Sequence, residues 1–153
     1  MADPNEWGPL FWKILHSIPE NLGNNTNKIL QNDEILYFKN FIRQIKTVLP
    51  CKICEKHYTE YYNKKKKDII LYNNLKEYAK EYFFNLHEKV NKENLKESFQ
   101  YENLSIKYKY TKNDLNIFVK ELDILFQKYR IINIIIRQDF FKTLNLLSRF
   151  MNY

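Results

Sequence analysis

The chain has 153 residues, enough for one domain with its own hydrophobic core. Only 2 Gly and 4 Pro occur, which leaves little material for hairpins and favours an all-helical fold. The formal charge is +7, but it comes from 21 Lys and only 4 Arg, so bidentate base or phosphate recognition, and with it a nucleic-acid partner, is not expected.

Met1 to Leu10 holds acidic and polar residues where a secretory leader needs basic and then apolar ones. No apolar run nears ~20 residues, so no membrane span is expected. Trp7 to Ile18 is apolar at Trp7, Leu10, Phe11, Ile14, Leu15 and Ile18. That spacing predicts a helix, stopped by Pro19. The Asn-rich stretch 21–27 reads as a loop, and Asn32 or Asp33 as the cap of a second helix that ends at Pro50. A third, shorter helix is predicted from Cys51 to Tyr62, followed by a solvated loop at Lys64 to Lys67. A fourth runs from about Leu75 to Asn91. Residues 98–112 are Tyr-rich and less regular. Two more helical patterns follow, from Asp114 to about Tyr129 and from Ile131 to the C-terminus. The expected architecture is a four-helix bundle with a short fifth helix and a helical C-terminal extension.

The chemistry centres on the only two cysteines, Cys51-Lys-Ile-Cys54, just after Pro50. A bridge between residues three apart closes too small a loop to staple a fold. Such a pair is there for chemistry. The N-terminus of a helix carries partial positive charge and free N–H groups that favour a thiolate, the attacking species in exchange. Two other readings stay open. Cys51, Cys54 and His57, with a further histidine, make a Cys2His2 zinc set inside a non-enzymatic basic binding module. A thioredoxin-like context would need βαβ patterning around the motif. The three histidines, His16, His57 and His87, all fall on predicted helices that can pack around the cysteine pair.

Three segments carry a family resemblance. Trp7-Gly8-Pro-Leu-Phe-Trp12-Lys-Ile-Leu-His16 resembles the first helix of the Erv/ALR sulfhydryl oxidases. Leu49-Pro50-Cys51-Lys-Ile-Cys54-Glu-Lys-His57-Tyr58 looks like their active-site segment. His87-Glu-Lys-Val90-Asn91-Lys92 is similar to their FAD-gripping signature. The resemblance spans about residues 6–108. It implies an oxidase domain over 1–108; residues 109–153 lie outside it, and their apolar content predicts a helical extension packed on the bundle.

The resemblance also implies FAD as cofactor, held by Gly8, Trp12, His16, Cys54, His57, His87, Val90, Asn91, Lys92, Lys96 and Tyr108. Cys51 and Cys54 are then the catalytic pair. A dithiol substrate attacks Cys51, Cys54 leaves as a thiolate facing the flavin, and electrons pass to O2 as hydrogen peroxide. Glu88 departs from the pattern, where Asn is usual, and so does Leu49, where an aromatic residue often stands. The chain has no second cysteine pair, as in the minimal members of large cytoplasmic DNA viruses. The implied partners are a separate thiol-containing redox protein and a second copy of the chain. The implied place of action is the cytoplasm of an infected cell, or the virion.

Overall fold

The computed structural model describes residues 2–129 and 132–151. The described residues form an all-α fold of α1 (Pro4–Glu20), α2 (Lys28–Val48), α3 (Lys52–Lys65), α4 (Leu75–Glu93), α5 (Leu104–Lys107), α6 (Lys112–Tyr129) and α7 (Ile134–Ser148). None of these helices is long and apolar enough to cross a membrane.

Helix interiors follow the apolar periodicity, and helix ends follow local hydrogen bonding. Asp3 caps α1, accepting from the Asn5 N–H, and Pro4 sits in the first turn, where its missing N–H costs nothing. The helix does not stop at Pro19, as the sequence led us to expect. It runs one residue further because the Pro19 ring is buried among the core side chains of its last turn. The cap of α2 is Asn27, not Asn32 or Asp33. Its side chain accepts from the N–H groups of Ile29 and Leu30, two exposed residues that lie outside the apolar stripe. Lys64 and Lys65 belong to the last turn of α3, where cations complement the helix dipole, rather than to a loop. Thr111 and Asp114 cap α6 reciprocally: the Thr111 N–H donates to the Asp114 carboxylate, and the Asp114 N–H donates to the Thr111 hydroxyl. The last helix was expected from Ile131, which lies outside the described residues. Asn133 caps it.

α1 packs between α4 and α6, and α2 between α3 and α7. One core holds Ile14 and Ile18 of α1, Phe38 and Phe41 of α2 and Phe83 of α4, with Phe126 and Phe140 from the last two helices. α6 runs antiparallel to α1, since Phe126 meets Trp7 while Lys13 lies over Phe118. α7 runs antiparallel to α2, since Phe140 stacks on Phe41 and Phe150 reaches back to Tyr37.

Two polar arrangements fix the frame. The Tyr58 hydroxyl donates to the Ile42 carbonyl and pairs with Tyr82 at 2.9 Å, and Tyr61 donates to the Tyr82 carbonyl at 2.7 Å. These bonds tie α3 to α2 and α4. Glu34 is fully buried and accepts from the Gly23 N–H at 2.6 Å and the Tyr72 hydroxyl at 3.2 Å. Gly23 has φ +82°, a conformation that other residues rarely adopt, and so turns the loop toward the carboxylate.

Candidate active site

Cys51 is the N-cap of α3, and its Sγ accepts from the Cys54 N–H at 3.3 Å. The cysteine pair thus forms the first turn of the helix. Both are half-buried free thiols. Cys54 lines a cavity of about 620 Å³, and Cys51 does not. The helix start favours a thiolate, but at Cys54 the opposite effect dominates. Burial, and then the contact with Cys51, pushes its thiol up to about 12. The apolar wall next to Cys54 includes Leu49, Ile53 and Tyr58.

The other wall is a stack of rings. Trp12 and His87 lie face to face, with centroids 3.9 Å apart and 6° between planes. His16 stacks on Tyr108 at 4.4 Å, and its Nε2 is 2.8 Å from His87 Nδ1. One ring of that pair donates and the other accepts, so the accepting ring is neutral. Burial first, then the neighbouring His87 and Lys107, lowers His16 to about 2, and burial with Lys107 and Lys96 lowers His87 to about 4.

The cavity gathers Gly8, Trp12, Cys54, His57, His87, Val90, Asn91, Lys96 and Tyr108 from the set singled out in the sequence. His16 stands behind His87 and does not line it. Lys92 is exposed and also outside the lining. The end of α4 separates the two lysines. Leu95 takes the left-handed conformation, φ +56°, and the N–H groups of Leu95 and Lys96 return to the carbonyls of Lys92 and Asn91. That reversal brings Lys96 back over the cavity and leaves Lys92 outside.

The sequence reading missed Trp7, Lys13, Lys89, Glu93, Lys107 and Tyr110, all of which line the cavity. Trp7 lay inside the quoted first motif, beside Gly8. Lys107 lay in the irregular stretch, and its Nζ is 5.4 Å from the ring centres of both Phe99 and Tyr108. Lys13, Lys89, Lys96 and Lys107 outnumber Glu93, the one carboxylate among the described lining residues. The site therefore suits an anion with an extended aromatic part. Among the described residues no three of His, Cys, Asp and Glu converge as metal ligands, which goes against the zinc set of Cys51, Cys54 and His57. No strand accompanies the cysteine pair among them either, so a thioredoxin-like context does not hold.

The model of the Erv1/Alr family matches residues 9–110. The chain belongs to the Erv1/Alr family. That match takes in both cysteines and the three histidines, and stops before α6 and α7. A protein of Invertebrate iridescent virus 3, named "Putative FAD-linked sulfhydryl oxidase 096R", is 32% identical over 89 residues, covering 58% of this chain. The chain spans about half the length of that relative, 56%. No solved structure matches it. Glu88, where the resemblance leads to Asn, has Oε1 buried without a partner.

Proposed function

We propose that this chain is an FAD-dependent thiol oxidase that makes disulfides in other proteins through Cys51 and Cys54. The observation that carries the reading is the placement of Cys54 on the wall of the cavity that Trp12, His87 and Asn91 also line, with Cys51 outside it. Family membership and the name of the viral relative point the same way.

The residues present fit FAD. Gly8 lines the cavity, and a Cβ there would meet nothing within 4 Å, so the site keeps open room at that point. Trp7 Nε1 is buried without a hydrogen-bond partner on a lining residue, a donor waiting for an acceptor. Trp12, His87 and Tyr108 give stacking surface for the rings, and His57, Val90 and Asn91 complete that wall. Lys96, with Lys13, Lys89 and Lys107, supplies charge for the diphosphate, and Lys92 can add to it only at longer range. His16 acts through His87, holding its ring in place. When bound, FAD supplies the two-electron acceptor that no side chain can be, with an outlet to O2 as hydrogen peroxide.

The chain's own residues handle the exchange. A substrate thiolate attacks Cys51 Sγ, the Cys51–Cys54 bond breaks, and the electron pair leaves on Cys54. A second substrate thiolate then displaces Cys51, and the substrate departs as a disulfide. In this reading the electrons come from a thiol-bearing redox protein that docks at Cys51. Residues 1–108 form the oxidase unit, with 109–153 as an extension laid on it. A homodimer is part of the reading. α6 and α7 cover α1 and α2, so a second copy would meet the exposed Ile117 and Ile124 on one face of α6. The cytoplasm of an infected cell, or the virion, is the proposed place of action.

The test is the absorption spectrum of the purified protein with a dithiol oxidation assay. We expect about one flavin per chain and O2 consumption with dithiothreitol. Folded, colourless protein that takes up no added FAD would overturn the reading.

A further inference from the structure

α6 follows residues 9–110, the segment that matches the family, yet it backs the cavity wall. Leu115, Phe118, Leu122 and Phe126 fall on one face of it at helical spacing, and all four pack into the core cluster or against it. At one end of that stripe Phe126 meets Trp7 and Phe11, with ring centres 6.4 and 6.0 Å apart. At the other end Phe118 meets Lys13 and Tyr110. Its ring centre lies 5.2 Å from Lys13 Nζ and 4.8 Å from the Tyr110 ring centre, with 81° between the two planes. Trp7, Phe11, Lys13 and Tyr110 all line the cavity, and Phe118 does not.

An aromatic face is a particular kind of seat for an ammonium group. The ring quadrupole attracts the cation and leaves its charge whole. A carboxylate would hold Lys13 as well, but would cancel the charge that a bound anion needs. Lys13 takes part in no ion pair among the described residues. Lys107, also on the cavity wall, is seated in the same way, 5.4 Å from the ring centres of Phe99 and Tyr108. A lysine side chain is long and flexible, and ordering it as a ligand binds costs affinity. A lysine already seated on a ring avoids much of that cost. The edge-to-face contact fixes Tyr110 at the same time, in an arrangement that aromatic pairs prefer.

We propose that Phe118 is a positioning residue for the bound cofactor, holding the Lys13 ammonium and the Tyr110 ring on the cavity wall. Lys13 then meets the anionic part of the ligand with its charge intact and its side chain ordered. Phe118 acts through these two residues and touches no ligand itself. α6 therefore helps to make the cavity, although it lies outside the family segment. This rests on the FAD reading, because it assigns what prepares the wall for that ligand.

Two measurements on the full chain, as purified, test it. In the first, isotopically labelled methyl groups are added to the lysines, which keeps their charge, and loss of a signal in Lys13→Arg assigns Lys13. The Phe118 ring current should move the Lys13 methyl resonance upfield. Phe118→Leu, which keeps an apolar side chain there, should abolish that shift. In the second, the protein is diluted and released FAD is read by its fluorescence. Phe118→Leu should raise the dissociation constant about fivefold, and Phe118→Tyr should restore it. Lys13→Gln should raise it at least as far and flatten its salt dependence, and Phe118→Leu should add less in that background. A Lys13 signal with no ring shift in the unsubstituted protein overturns the proposal, even if Phe118→Leu fails to fold. Fully additive effects in the double variant overturn it too. Unsubstituted protein that carries no FAD and takes up none overturns the oxidase reading and this proposal with it. Normal binding with an unchanged constant in Phe118→Leu overturns the proposal alone.

Discussion

Acid should unfold this protein through one pair of rings. Folded His16 and His87 sit at about 2 and about 4, against 6.5 for an exposed histidine. Above pH 6.5 both rings are neutral folded or unfolded, and they add no pH dependence. As pH falls below 6.5 the unfolded chain binds two protons that the fold refuses. Stability is therefore lost on acidification, until His87 itself protonates near pH 4. Each ring contributes a slope of about 1.4 kcal/mol per pH unit, so the pair gives roughly 2.7. Between pH 6 and 5 the unfolded rings are not yet fully protonated, so the pair gives about 2.4 kcal/mol per unit. The perturbation is the double variant His16→Phe/His87→Phe, which keeps ring surface and removes both titrating groups. Urea unfolding followed by circular dichroism at pH 7, 6 and 5, on cofactor-stripped protein, gives the two slopes. All other ionisable groups are common to both proteins and cancel in the difference. Parallel pH dependence of the two proteins would refute the reasoning.

Three further outcomes follow from the same geometry. Cys51→Ser and Cys54→Ser should each abolish dithiol oxidation while the helical signal stays intact, and substantial turnover in either would remove their assigned roles. His87→Ala or Asn91→Ala should weaken FAD binding by ~10- to 150-fold, the loss of one bond to a charged ligand, as measured by fluorescence titration. Leu95→Gly should raise stability by about 1 kcal/mol, because a left-handed residue without a Cβ carries no strain there; a lower melting temperature would contradict that.

The interiors of the helices were legible because burial on one face leaves a 3.6-residue period, as at Phe38, Phe41, Ile42 and Ile45 of α2. Their ends were less so. Several Asn could cap α2, and the choice of Asn27 depends on a turn of helix with no buried face to mark it. The cysteine pair and the ring stack were legible because each sits inside a short local motif. The pairing of His57 with Glu93 joins residues on two helices, and no local pattern records it. Lys96 and Lys92 look equivalent in the sequence. The left-handed turn at Leu95 separates them, and a leucine there gives no warning of it.

α6 and α7, which cover α1 and α2, are part of the same chain as the helices they cover. A wall borrowed from a second molecule would come away on dilution, by mass action. A wall joined through the backbone is held at an effective concentration that dilution cannot lower. The cover over α1 and α2 should therefore stay in place however scarce the protein is.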